Sequence, residues 1–371
     1  MAGELRIFLA GDVMTGRGVD QVLGCPGDPE LREAAVRDAR EYVHLAEAVN
    51  GPIPRPVDPG WPWGDALTIL DAWQPHVRVL NVETSVTTSS DFAPGKAIHY
   101  RMHPGNVDCL RSVRPDVCGL ANNHVLDFGG RGLVETLETL DSAGLSHAGA
   151  GRTLAEASRP AVVAAGGRRV RVYAVGSESS GVPAGWAATD DRAGVAYVPE
   201  LSDVGADALL DRIRDPVPSD DEIVVVSVHA GSNWGYRVPR PYVRFAHRLI
   251  DGGVGLVHGH SSHHPRPVEV YRGRLVLYGC GDLINDYEGI GGRESFRSEL
   301  RLLYLATLDA DSHALKELRM VPVRARRLRL EAAEHADVVW MRRRLARVSR
   351  PFGTAVRAGP DDTVMVGGWG G

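Results

Sequence analysis

Short apolar runs alternate along this chain with amphipathic stretches, and most of the runs close on a glycine or a polar residue. Residues 5–10, 77–81, 117–121, 223–228 and 254–258 are rich in Val, Ile and Leu. Each predicts a strand, 5–10 a buried one and 223–228, broken only by Ser227, one buried on both faces. Between and after them, spacing near 3.6 residues predicts helices over 30–49, 65–73, 129–143, 201–214 and 241–251. The third places Leu133, Leu137 and Leu140 on one side. Gly166-Gly167 and Arg272-Gly273 each separate two short apolar runs, at 161–165 and 169–175 and at 267–271 and 274–279, and predict two hairpins. Strands at 300–308 and 316–323 and an Arg-rich helix at 328–348 follow, and the Gly-rich last twenty residues read as loosely held. The proline-dense stretch at 51–60 admits neither helix nor central strand. Strand–helix alternation followed by a hairpin-rich half predicts an α/β fold. It would be one domain over 1–350 of two packed sheets flanked by helices, with a tail over 351–371.

What closes the runs is more informative than the runs themselves. Five of them lead into Gly11-Asp12, Asn81-Val82-Glu83, Asn122-Asn123-His124 with Asp127, Val228-His229, and Gly259-His260-Ser261-Ser262-His263-His264. In α/β proteins ligands collect at the carboxyl ends of strands. Asp, Glu, Asn and His arriving there in series point to a metal-centred site. The candidate ligands are Asp12, Glu83, Asn123, His229 and His263. For proton transfer, His124 pairs with Asp127, and His260 or His263 pairs with Asp282, because a carboxylate fixes the imidazole's tautomer and raises its basicity. Alternation along an extended run puts His258 and His260 on one face. Asn122 reads as loop support. Trp61, Trp63, Trp186 and Trp234 all stand in loops, where they could line a peptide groove or simply pack.

Composition removes several classes. A hydrophobic content of 43% and a charged content of 24% fill an ordinary core, and a net charge of −5 does not suggest a nucleic-acid partner. No apolar run reaches the length of a signal segment or a membrane span, which predicts a cytoplasmic protein without a membrane partner. Cys25, Cys109, Cys118 and Cys280 lack paired metal spacing and read as buried thiols. Lys96, in a Pro-Gly-Lys turn, and Lys316, in a polar stretch, are the only lysines. Neither is a persuasive Schiff-base residue, which argues against pyridoxal phosphate. No phosphate-cradling GxxxxGK[ST] string and no strand-linked GxGxxG is present.

The five strand-end motifs, in this order, resemble the CapA family, named for poly-γ-glutamate capsule synthesis, within the calcineurin-like metallophosphatase superfamily. The similarity runs from about residue 5 to residue 287. It implies a four-layer α/β/β/α sandwich with a divalent metal at its strand ends. Departures from the superfamily pattern shape the expectation. Met14 stands where the first motif usually has histidine, Glu83 replaces an aspartate, and Val125 follows His124 where an acid is usual. Losing a nitrogen ligand and gaining carboxylates favours a hard cation, Ca²⁺, Mn²⁺ or Mg²⁺. The block from Gly259 to Pro265, with Gly279-Cys280-Gly281-Asp282 and Asn285-Asp286-Tyr287-Glu288-Gly289, resembles a cytoplasmic CapA branch that includes lasso-peptide epimerases. That implies a metal-dependent epimerase inverting an α-carbon of a peptide substrate, two His–Asp pairs moving the proton. The alternative is a CapA-like hydrolase of phosphoesters or γ-glutamyl amides.

Overall fold

The computed structural model describes residues 3–215, 217–219 and 221–367. The strands that position the site are β1 (Glu4–Val13), β2 (Val77–Val82), β3 (Val117–Gly119), β4 (Arg168–Ser177), β5 (Glu222–His229), β6 (Leu256–His260), β7 (Arg274–Leu277), β8 (Asp282–Ile284), β9 (Leu300–Asp309), β10 (Leu315–Ala325) and β11 (Val364–Gly367). The main helices are α1 (Arg40–Asn50), α2 (Asp65–Trp73), α3 (Gly129–Ser142), α4 (Asp203–Ile213), α5 (Arg240–Asp251) and α6 (His335–Ser349).

Two sheets carry the fold. A ten-stranded sheet runs β11-β10-β9-β1-β2-β3 through its centre, with β8 added beside the end of β1. A seven-stranded sheet runs β4-β5-β6-β7. Period-2 alternation explains how they stack. Ile223 and Val225 of β5, with Val170, Val172 and Ala174 of β4, join the core that also holds Ile7, Leu9 and Val79 of the other sheet. The intervening Val224, Val226 and Val228, with Tyr173 and Val175, face outward onto Leu209 and Leu210 of α4 and Phe245 and Leu249 of α5. Sheet faces sheet, and helices cover the outer surfaces, giving the α/β/β/α sandwich. Among the described residues no helix is long and apolar enough to cross a membrane.

Three expectations need correction. The helix expected at 30–49 begins only at Arg40. Residues 30–39 fold back on themselves through a Glu30–Asp38 bridge and a Leu31 N–H to Arg37 carbonyl bond of 2.9 Å, so Leu31 reaches its apolar partners from a loop. The helix expected at 328–348 is split, because Leu330–Ala332 pairs as a strand with β10 before α6 begins at His335. The tail is not loose through residue 367. β11 pairs with β10 from Met320↔Val364 to Glu317↔Gly367, extending the ten-stranded sheet, and 368–371 lie outside the described residues.

Candidate metal centre

The parallel strands β1, β2 and β3 of one sheet and β4, β5 and β6 of the other point their carboxyl ends to the same edge of the sandwich. Register then fixes what sits beside what. Asp12 is opposite Asn81 on one side and Asp282 on the other, and His229 is opposite His260. The approach of β8 to β1 depends on a missing side chain. A Cβ on Gly11 would lie 1.8 Å from the Gly281 carbonyl oxygen, the same oxygen that accepts from the Asp12 N–H at 2.9 Å.

Asp12 is the hub. Its carboxylate accepts from Asn81 Nδ2 at 2.8 Å and from the Ser261 N–H at 3.1 Å, the latter delivered by a backbone turn with φ of 101°. Two donor groups share it: Asp12 with His229 and His260, and Asp12 with His263 and Asp282, all buried, with ligand atoms within 4.8 Å of one another in each group. The two imidazoles of the first group meet Nδ1 to Nδ1 at 2.8 Å. Glu83 Oε1 lies 3.7 Å from His229 Nε2, and Asn123 Oδ1 lies 3.0 Å from the same nitrogen. Burial and the neighbouring Asp282 push the Asp12 carboxyl up to about 7, and burial with Asp12 pushes Glu83 well above its ordinary range. Burial is the main cause that holds His229 and His260 well below the ordinary imidazole range, helped at His229 by the charge of Lys96. Crowded buried carboxylates beside neutral imidazoles form a donor set short of positive charge, and it fits a divalent cation.

The second His–Asp pairing is resolved in favour of His263. Its Nδ1 lies 2.9 Å from Asp282 Oδ1, and Asn285 and Arg301 continue the chain of bonds behind Asp282. His260 does not reach Asp282. Strand alternation directs it with His258 between the sheets, where both meet the Ser227 hydroxyl at 2.8 and 3.1 Å and His258 Nε2 donates across to the Ala10 carbonyl at 2.8 Å. His263 escapes that direction because the turn at Ser261 separates it from the strand.

Opposite this wall lies His124. Its Nδ1 is 2.6 Å from Asp127 Oδ2, and its Nε2 faces Glu83 Oε1 at 3.8 Å. Asn122 builds the loop, accepting from the N–H groups of His124 and Val125 and donating to the Val82 carbonyl at 2.8 Å. Burial brings His124 down to about 4 despite the opposing pull of Asp127.

Residues 6–287 match the family described as bacterial capsule synthesis protein PGA_cap. The chain belongs to that family. A probable polyglutamine synthesis accessory protein of Mycobacterium tuberculosis is 52% identical over 372 residues, covering 99% of this chain and 97% of the relative. Capsule biosynthesis protein CapA of Bacillus anthracis is 24% identical over 286 residues, 76% of this chain and 60% of that protein. Among solved structures, a novel phosphatase from Mycoplasma pneumoniae aligns over 91% of this chain and 99% of its own at 11% identity, with a TM-score of 0.47.

Two basic residues of this PGA_cap chain, Lys96 and Arg293, escape the motif reading. Lys96, set aside as a turn residue, places Nζ 3.1 Å from His124 Nδ1, on Asp127 Oδ1 and on the Asn123 carbonyl, with the Trp186 ring 5.1 Å away. Trp234 packs on His263 with ring centroids 5.3 Å apart, and Arg293 lies 4.9 Å over that tryptophan. Trp61 and Trp63 do not join them. Trp63 is fully buried against the Cys109 carbonyl, and Trp61 bonds the Arg327 carbonyl.

Proposed function

We propose that this PGA_cap chain is a metal-dependent hydrolase that cleaves glutamyl amide bonds in an acidic chain. The observation that carries the reading is the sharing of Asp12 between two adjacent donor groups, the arrangement a pair of metal ions needs around a common carboxylate. Asp12, Glu83, Asn123, His229 and His260 would hold one ion, and Asp12, His263 and Asp282 the other. Divalent cations there would polarise the scissile carbonyl and make a water acidic enough to attack at neutral pH. With three imidazoles among the donors, Mn²⁺ is favoured over Ca²⁺ and Mg²⁺.

The chain's own groups account for the rest. Asp127 bound at Nδ1 assigns the proton of His124 to that nitrogen and leaves Nε2 with a free lone pair toward the cluster. His124 is neutral at physiological pH and can take a proton at Nε2 and return it to the leaving amine. Lys96 holds Asp127 and the Asn123 backbone in place. Arg293, which pairs with no carboxylate among the described residues, offers a charge to an acidic substrate beside Trp234. The name of the Mycobacterium tuberculosis relative, a polyglutamine synthesis accessory protein, agrees with a substrate joined by amide bonds.

Epimerisation draws on the same His124–Asp127 pair but loses its second base, because the His263–Asp282 pair belongs to the Asp12 donor cluster. Metal-stripped protein, reloaded with Mn²⁺ and given a glutamyl oligomer in deuterated water, separates the readings. The expected result is new amine termini that require the metal. Uncleaved oligomer that gains one mass unit would reinstate inversion, and phosphate release from model phosphoesters without peptide cleavage would move the activity to phosphoester hydrolysis.

A further inference from the structure

Behind the loop that follows β5, away from the metal centre, one guanidinium lies buried without a counter-charge. Arg266 is 1% exposed. Its Nη2 donates to the Ser232 carbonyl at 2.6 Å and the Ser232 hydroxyl at 2.8 Å. Its Nε and Nη1 are buried with no partner, and among the described residues no carboxylate pairs with it. The fully buried Tyr242 hydroxyl, in the first turn of α5, also lacks a partner. The two groups flank one short segment: a Cβ on Gly259 would stand 3.0 Å from the Tyr278 carbonyl carbon as well as against the Tyr242 oxygen, and a Cβ on Gly279, the residue after Tyr278, would stand 2.9 Å from Arg266 Cδ. Both rest against bare α-carbons. A Cβ on Gly231 would stand 2.8 Å from Arg266 Nη1, and a Cβ on Gly259 would stand 2.6 Å from the Tyr242 oxygen. Gly231 and Tyr242 also form part of the lining of a cleft of about 630 Å³, with Ser177, Ser179 and Arg244.

An isolated buried cation costs several kcal/mol unless it is compensated. Of the other buried arginines near the site, Arg17 is paired with Asp286 and Glu33, and Arg301, which pairs with no carboxylate among the described residues, bonds the Asn285 side chain behind Asp282. Arg266 has an unmatched positive charge, two unused N–H donors and a third donor from Tyr242. We propose that these groups form a binding site for a small monovalent anion of the halide class, chloride in the cell. One guanidinium balances one negative charge, and three donors with little solvent access suit a compact, weakly hydrated ion better than phosphate.

The site also has a route to the metal centre. Arg266 clamps Ser232, and the next residue, Asn233, bonds His263 through its side chain at 3.1 Å and its backbone carbonyl at 3.0 Å. An anion that steadies Arg266 steadies the loop that orients His263, so chloride tightens divalent-cation binding. This coupling rests on the metal-centre reading; the anion site does not.

Thermal unfolding of the full chain in NaCl against sodium gluconate, at constant ionic strength, tests the site. Chloride and bromide should raise Tm saturably by roughly 2–4 °C. Tyr242→Phe, which removes one oxygen, should weaken the effect, and Arg266→Met should abolish it. A crystal grown in bromide should give an anomalous peak within hydrogen-bond reach of Arg266 and Tyr242. Absence of that peak, or equal Tm in the two salts, overturns the site. A bromide peak with the same Mn²⁺ affinity in both salts keeps the site and removes the coupling.

Discussion

One wall of the metal centre is made of strand ends and the other of loops. Asp12, Asn81, His229 and His260 lie on paired strands, none more than 2% exposed, and backbone register sets their spacing. Lys96, His124, His263 and Trp234 lie on connecting segments held largely by side-chain bonds such as Asn122 to Val82 and Asn233 to His263. The strand wall, which carries the Asp12 common to both donor groups, would therefore decide whether any ion is held, while the loop wall adds His263 to the second group. The loop wall decides what is brought to it and how protons move.

That division breaks most sharply at Asp12. Asp12→Asn should take metal content by elemental analysis from about two ions per chain to near none, because both donor groups lose their common member. His229→Ala and His263→Ala should each leave about one. If Asp12→Asn retains full metal, the strand wall does not hold the ions. On the loop wall, Lys96→Met should leave metal content intact and lower turnover by roughly 10–100-fold, as expected for a group that positions His124 rather than reacting. Equal losses of metal and turnover would dissolve the distinction.

Acid stability gives a smaller, purely structural probe of the strand wall. Burial brings His258 down to about 4, below its ordinary 6.5. The unfolded chain therefore binds the proton first. The neutral histidine's contribution is complete above about pH 6.5 and drains away as pH falls toward 4. Urea unfolding in chelator should show wild type losing ~2 kcal/mol more between pH 7 and pH 5 than His258→Gln. Smallest of all is a thiol count. Burial pushes Cys109 and Cys118 up to about 12 and Cys280 well above its usual value, whereas Cys25, expected to be buried, is exposed. A thiol reagent should titrate one cysteine in the native protein and the others only on unfolding.

The same two walls differ in how far the sequence announces them. Apolar runs such as 223–228 end where β-strands end, so Asp12 and His229 could be read as strand-end candidates from apolar patterning, whereas the place of His260 beside His229 rather than Asp282 could not. Helices α2, α3 and α5 were legible for the same reason. Lys96 was not, because it reaches Asp127 from a segment without periodicity, 31 residues away in sequence. The choice between His260 and His263 for Asp282 also stayed open. It turns on one positive φ at Ser261, a residue with no intrinsic preference for it. The misread helix at 30–49 failed because apolar spacing records that residues are buried, not that the backbone between them is helical.

The Gly11–Gly281 contact also bears on how the protein comes into being. It joins residues about 270 positions apart, and the same edge of β1 is completed by β9, later still, the opposite edge being taken by β2. Such contacts raise contact order, and loop closure must precede any reward from pairing. A nascent chain on the ribosome, even with β2 and β3 already made, would lack both the second neighbour of β1 and Asp282. On the proposed reading, capture of the ion pair would therefore wait for Asp282 and β9 to be made, long after β1 itself.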